Sequence, residues 1–412
     1  MLLKLLPVGT LLIGSAFLFF AGGVNGLLLP VRGAIEGFSP FALGLLGTGW
    51  AIGYVIGCIQ TPKLVARAGH IRAFGILAAS AAIAILLSSM LLNVWVWTGL
   101  RAIAGFAFAG AAMIVESWLS EEAEPASRGQ IFGVYTMVNL LATTAGQISL
   151  IGGDIASGWY FSLAAVFYCL ALIPTAISST RTPSPLTSVR LDLRGLWQNS
   201  PVAVFTAFMI GISNSTFGTL APVYGSAIGL SVTAIALFSS LPVLAGAAAQ
   251  IPVGALSDRT DRRYVLIGLG LIALGIDLAF VLLAPRDPAA NIALSLALGF
   301  AIFAMYPIIV AHAYDHASAD RYIQISGGLL MLFGFGSIIG PLITGAAFSL
   351  VGPAGLFITT AGAHSLVIGY ASWRCLRKKT VSESEKVTFV ATPITRNLTP
   401  ETAALAADLA EN

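Results

Sequence analysis

The chain is 412 residues long, 57% hydrophobic and only 9% charged, with a formal net charge of +3 and a mean hydropathy of +0.90. Soluble domains carry about a quarter charged residues, so no water-soluble fold could hide this much apolar surface, and the expected solvent is lipid. The basic residues are spread among short loops, which gives no footing to a nucleic-acid partner.

A membrane-crossing helix needs about 20 apolar residues. In chain order, such stretches lie near 6–30, 41–60, 73–92, 94–118, 130–151 and 157–178, then near 201–223, 232–254, 264–284, 290–313, 323–349 and 353–373. The first begins with Lys4 and passes Ala21-Gly22-Gly23, which would suit a signal peptide. Its apolar character continues to Pro30, so it is expected to stay as the first span. The longest polar interruption, 179–200, holds Arg181, Pro183, Pro185, Arg190, Asp192 and Arg194 and is read as a linker. The expected organisation is a six-helix half over 1–178, a linker over 179–200, a second six-helix half over 201–373 and a polar tail over 374–412. A short helix is predicted after Pro400, with a weak apolar face made mostly of Ala. The 44 Gly and 19 Pro are tolerated because membrane bundles pack closely through small residues and accept kinks.

The two halves repeat each other at a distance of 192 positions. Leu28, Pro30, Val31, Gly33, Gly37 and Ser39 recur as Leu220, Pro222, Val223, Gly225, Gly229 and Ser231. Ile59, Leu64 and Arg67 recur as Ile251, Leu256 and Arg259. A repeat of half the chain length in so apolar a sequence points to a transporter of two similar halves around a central path. Orientation follows from Lys and Arg. One side collects Lys63, Arg67, Arg72, Arg128, Arg181, Arg190, Arg194, Arg259, Arg262, Arg263, Arg321, Arg374, Arg377, Lys378 and Lys379, while the other has only Arg32 and Arg286. Both termini are therefore expected in the cytoplasm, which requires an even number of spans. Cys58, Cys169 and Cys375 form no CxxC or Cys/His cluster, so neither a disulfide framework nor a metal site is indicated.

Two loops and one buried cation carry the most chemistry. The loop after the eighth span reads Gly254-Ala-Leu-Ser257-Asp258-Arg259-Thr-Asp261-Arg262-Arg263. It resembles the signature loop of the major facilitator superfamily, a resemblance that covers essentially the whole chain through the twelve spans and the repeat. The first-half copy departs from it, with Pro62 in place of the Gly and Ala66 in place of the Asp. An Asp at such a helix end can sit against the positive N-terminus of a neighbouring helix, and its Arg can pair with a carboxylate on a third helix. Alternatively the charges only fix topology. A cytoplasmic gate is expected from Arg67, Glu116, Arg128, Asp258, Arg259, Asp315 and Arg321, with Asp315 the partner of Arg259 and Glu116 the partner of Arg67 or Arg128.

Arg101 lies inside the fourth span, where an Arg costs ~2.5–3.5 kcal/mol on insertion scales, so a role facing a cavity is expected; the other reading is an Arg snorkelling to the interface. Arg101 and Gly105 match a motif that the superfamily ties to substrate binding or proton coupling. The resemblance also implies that the first, fourth, seventh and tenth spans line the path. Asn25, Arg101, Asn214 and Tyr306 come from those four, and Asn139 and Gln147 join them as candidate cavity residues. Each polar residue could equally be a helix–helix hydrogen bond. Asp277 in the ninth span reads either as a packing residue or as a coupling carboxylate. His312 and His316 share a helix face; a hydrogen-bonding role is favoured over a metal or proton role. The eleventh span carries Gly336, Gly340-Pro341 and Gly345, resembling a glycine–proline motif of exporters but in the other half, and is read as packing and hinge.

The sequence thus predicts an all-α membrane protein of twelve transmembrane helices in two pseudo-symmetric halves, similar to a bacterial branch of the major facilitator superfamily. The expected function is secondary active transport of a small solute across the bacterial inner membrane by alternating access, coupled to protons. No enzyme activity, cofactor, metal or nucleic-acid partner is expected, and the chain is expected to be a monomer in the lipid bilayer. An uncoupled facilitator and a membrane sensor or receptor on the same fold remain open. A membrane enzyme would need nucleophile, acid/base or metal residues converging on one cavity.

Overall fold

A computed structural model of the chain describes residues 8–122, 128–177, 186, 192–377, 386–391 and 398–411. Most of the predicted linker, including Arg181, Pro183, Pro185 and Arg190, and part of the tail lie outside them. Among the described residues all regular structure is helical. The first half holds α1 (Gly9–Ile35), α2 (Pro40–Ala68), α3 (His70–Met90), α4 (Val94–Glu122), α5 (Arg128–Ile148), α6 (Trp159–Leu170) and its short continuation α7 (Leu172–Ile177). After the short α8 (Leu193–Asn199) come α9 (Pro201–Ala227), α10 (Val232–Arg259), α11 (Arg262–Leu283), α12 (Pro288–Tyr314), α13 (Tyr322–Val351) and α14 (Gly355–Arg377). The tail ends in α15 (Pro400–Glu411), which packs on α13 and buries Ala403, Leu405, Ala406 and Ala407.

Eleven stretches among the described residues are long and apolar enough to cross a membrane. The last runs for 59 residues, Ala319–Arg377, and contains both α13 and α14, separated at Gly352 with φ +75°. This is consistent with the twelve expected crossings. Large apolar side chains such as Ile251 and Leu282 are 77% exposed, as on helices that face hydrocarbon rather than water.

The structure explains what the sequence repeat encodes. Gly37 and Gly229 each end a helix with φ +79°. In the first copy Phe38 N–H donates to Gly33 O at 2.9 Å and Gly37 N–H to Ala34 O at 3.2 Å. In the second, Leu230 N–H donates to Gly225 O at 2.9 Å and Gly229 N–H to Ser226 O at 3.1 Å. This is the Schellman ending, which satisfies helix-terminal carbonyls through a left-handed residue. Two residues on, Ser39 and Ser231 start the next helix, each accepting a backbone N–H at 3.2 Å, from Ala42 and Ala234. The recurring residues are one stop-and-start device used twice. Other starts are equally local: Ser200 before Pro201 and Asp287 before Pro288 cap α9 and α12.

The chain divides into two compact units, residues 1–38 with 49–188 and residues 39–48 with 189–412. The linker-based boundary places 39–48 with the first half; here the opening turns of α2 group with the second unit. The cause is close packing on α13: Thr48 Oγ1 donates to Ile338 O at 2.7 Å, and Gly44 and Gly345 leave no room for a Cβ against Pro341 and Pro40. Gly336 and Gly340 meet the α9 backbone in the same way, so the glycine–proline span acts in packing.

Gly229→Ala places a side chain at a left-handed residue, at a cost of roughly 1–2 kcal/mol. Gly268→Ala, in an open position within α11, carries no such cost. Thermal unfolding in detergent is expected to drop clearly for the first and not for the second.

Candidate functional site

Among the described residues, the predicted site residues fall in polar groups within the helices and in a cluster at the loop after α10. In the first unit, Arg101 on α4 is 4% exposed and its Nη1 donates to Asn25 Oδ1 on α1 at 3.3 Å. Asn25 Nδ2 donates in turn to the Tyr168 hydroxyl on α6 at 3.5 Å. The structure thus joins two residues singled out in the sequence and adds Tyr168. The sequence did not mark Tyr168, because a Tyr in an apolar run looks like packing.

Glu116, on α4, is buried, and Tyr135 on α5 donates to its Oε1 at 2.9 Å. Asn139 is buried one turn along α5 from that tyrosine. Gln147 is buried further along α5. In the second unit Asn214 is buried on α9, and Tyr306 on α12 is fully buried, edge-on to Phe333 at 5.4 Å.

The loop after α10 departs from expectation in one respect. Asp315 is held by Arg262, at 2.7 Å from Nε to Oδ2 and 3.2 Å from Nη2 to Oδ1, and not by Arg259. Arg259 ends α10 and is exposed. Thr260 and Asp261 break the helix, and Arg262 opens α11 with its side chain wholly buried. From there it also reaches Ser257 Oγ at 3.0 Å and Asp258 Oδ1 at 3.3 Å. Arg67, the repeat of Arg259, is likewise exposed, and the repeat of Arg262 is His70, whose ring lies 5.8 Å from Trp118. Arg128 opens α5, and Arg321 lies beside Gly195 near the cap of α8. Asp261 caps α11. Burial works to raise its carboxyl, but contacts from the Arg263 backbone and guanidinium at 2.6–3.1 Å hold it below the usual carboxylate range. Its contribution to stability is full above the ordinary carboxylate value and is lost as pH falls from there through the lowered value it has in the folded state.

The tail completes this cluster. Phe389 N–H donates to Asp258 Oδ1 at 3.1 Å and Val387 N–H to Asp315 Oδ1 at 3.0 Å. Arg262 Nη2 donates to Val387 O, and Lys386 Nζ donates to the carbonyls of Asp258 and Thr260. A Cβ at residue 254 would overlap the Phe389 ring. The Gly and the Asp of the signature loop are thus among the positions that receive the strap, and they are the two that the first copy has lost. Nothing in the strap's sequence marks it, since an extended segment without periodicity looks like any tail. His316 Nδ1 bonds the His312 carbonyl at 2.9 Å, in line with the hydrogen-bonding reading of that pair, and no group able to hold a metal occurs among the described residues.

Comparison with known proteins agrees with this architecture. The model of the Major Facilitator Superfamily matches residues 203–403. An MFS-type transporter of Yersinia pestis (strain Pestoides F) is 27% identical over 373 residues, 86% of this chain and 92% of that one. One from Enterobacter sp. (strain 638) is 28% identical over 343 residues, covering 82% and 88%. Among solved structures, the nucleoside transporter NupG superposes with a TM-score of 0.71 at 14% identity, over 91% of this chain and 100% of that one. A bacterial homolog of the human lysosomal transporter Spinster, inward-facing and unoccupied, gives 0.70 at 16%, over 89% and 96%. The likeness to the major facilitator superfamily is shown in sequence and in fold, and the relatives are transporters.

Arg262→Ala leaves the Asp315 carboxylate, 2% exposed, without its cation; breaking a buried pair in this way costs about 3–5 kcal/mol. Arg259→Ala, at an exposed position, is expected to stay within about 0.5 kcal/mol. Chemical denaturation in micelles separates the two.

Proposed function

We propose that this chain is a secondary active transporter that moves a small solute across the bacterial cytoplasmic membrane by alternating access, driven by a proton gradient. The observation that carries the reading is Arg101, a cation buried inside a membrane span and oriented by Asn25 and Tyr168. A guanidinium kept in hydrocarbon at a cost of ~2.5–3.5 kcal/mol marks a place where charge is used. Asn25, Arg101, Asn139, Gln147, Asn214 and Tyr306 are proposed to serve substrate or coupling. A fixed guanidinium suits a solute with an anionic or strongly accepting group.

The excess of Lys and Arg on one side supports a cytoplasmic location for both termini and the linker, and the chain is proposed to act as a monomer. The signature-loop cluster is then the cytoplasmic gate of the second half. Arg67, Glu116, Arg128, Asp258, Arg259, Asp315 and Arg321 are its proposed members, and Arg262 is the residue at its centre. Nucleosides are the first solutes to test, because NupG is a nucleoside transporter; inorganic and organic anions follow from Arg101.

The test is a thermal-shift screen of such solutes on the purified protein, followed by uptake of the stabilising solute into proteoliposomes with an imposed pH gradient. Arg101→Ala loses a charge-assisted hydrogen bond and is expected to lower gradient-driven uptake about tenfold or more. Unchanged gradient-driven uptake in the variant contradicts the assignment. Uptake that ignores the gradient in the native chain points to an uncoupled facilitator.

A further inference from the structure

Three side chains from three helices of the second unit form a closed hydrogen-bonded line. His364 Nδ1 on α14 lies 2.7 Å from Asp277 Oδ2 on α11, and His364 Nε2 lies 2.8 Å from Ser213 Oγ on α9. Thr360, one turn from His364, donates to the other Asp277 oxygen at 2.8 Å. All four residues have 0% exposure. One turn along α11 and α14 on one side, the Phe280 and Phe357 rings stack at 3.8 Å with Tyr224 and Phe238 against them. On the other side Ala273 and Val367 are fully buried.

The order Ser–His–Asp is that of a hydrolase, but hydrolysis needs a reachable nucleophile and donors for an oxyanion. Ser213 sits inside a long helix with no exposed surface, which rules out that role. A purely structural role is also a poor fit, since a buried ion pair is commonly matched or bettered by apolar residues of similar volume. What the line does supply is one place for a proton.

We propose that Asp277 and His364 form a proton-binding site in the second half, and that Ser213 transmits its occupancy to α9. This rests on the transporter reading above and names the group that would carry the coupled proton. With the site empty, Asp277 is a carboxylate, His364 carries its proton on Nδ1, and Nε2 accepts the Ser213 hydroxyl. When a proton adds to Nε2, the imidazolium donates to Ser213 Oγ, and the hydroxyl hydrogen must turn to another acceptor. The net charge of the group goes from −1 to zero, and the hydrogen bond to α9 reverses direction. Ser213 is the immediate neighbour of Asn214 on that helix, so the change is felt beside a candidate cavity residue.

Titratable and charged groups on the packed helices are few. They are Tyr224 on α9, Tyr306, His312 and Tyr314 on α12, Tyr322 opening α13, Tyr264 with Arg262 and Arg263 at the start of α11, and Tyr370, Arg374, Cys375 and Arg377 toward the end of α14. None of them hydrogen-bonds to Asp277 or His364 among the described residues.

The test follows the proton itself, by 15N NMR of histidine-labelled protein in nanodiscs. The chain has 4 His, and His364→Gln assigns the relevant signal. His364 is expected to change between neutral and cationic forms as the pH of the medium is varied. The midpoint of that change is expected to move in both Asp277→Asn and Ser213→Ala. A His364 signal fixed in one form throughout, or a titration that neither variant moves, overturns the proposal. Because the native chain alone gives the first readout, a variant that fails to fold does not spare it. In proteoliposomes, Asp277→Asn is expected to lose gradient-driven accumulation while keeping solute exchange. Native protein that titrates at His364 while its flux ignores a pH gradient supports the site and contradicts proton coupling instead.

Discussion

Nothing in the hydrocarbon of a bilayer can hydrogen-bond a peptide group or solvate a charge, and the organisation of this chain follows from that. Backbone groups are satisfied by long helices whose ends are closed locally, by Schellman turns at Gly37 and Gly229 and by Ser, Asp and Asn caps. Side-chain charges obey the same rule by gathering. Arg101 is held by Asn25, Glu116 by Tyr135, Asp277 by His364 and Thr360, and Arg262 by Asp258 and Asp315. Each group joins two or more helices, so its state bears on how those helices pack.

The two halves share a scaffold and differ in their charges. The first keeps a buried Arg and a buried Glu on α4. The second has its own buried Asp–His pair, Asp277 with His364. At the repeated loop, Gly254 and Asp258 receive the tail strap through Phe389, where Pro62 and Ala66 offer neither the space nor the acceptor. The loss of the motif in one copy and the docking of the tail on the other are two views of one asymmetry.

Span positions were legible because apolar length is a direct demand of the membrane, and the helices differ from the predicted ranges mainly by extra residues at their ends. The repeat was legible as symmetry, and its physical content, a helix stop followed by a cap, became visible only with the backbone. Arg101 and Asn25 stood out as polar groups in apolar runs. Which of Arg259, Arg262 and Arg263 would meet Asp315 did not, because the helix break at Thr260 and Asp261 resets the facing of every residue after it. The Asp277–His364 contact spans 87 positions and follows no pattern within either helix. The opening turns of α2 grouped with the second unit through backbone approach at glycines, which hydropathy does not record.

Counterflow shows whether the fold carries a solute across the membrane: proteoliposomes preloaded with unlabelled solute from the thermal-shift screen are diluted into a trace of labelled solute. A carrier that alternates access predicts a transient internal accumulation of label above its equilibrium level. Saturable binding with no such overshoot would mark a sensor or receptor instead of a carrier.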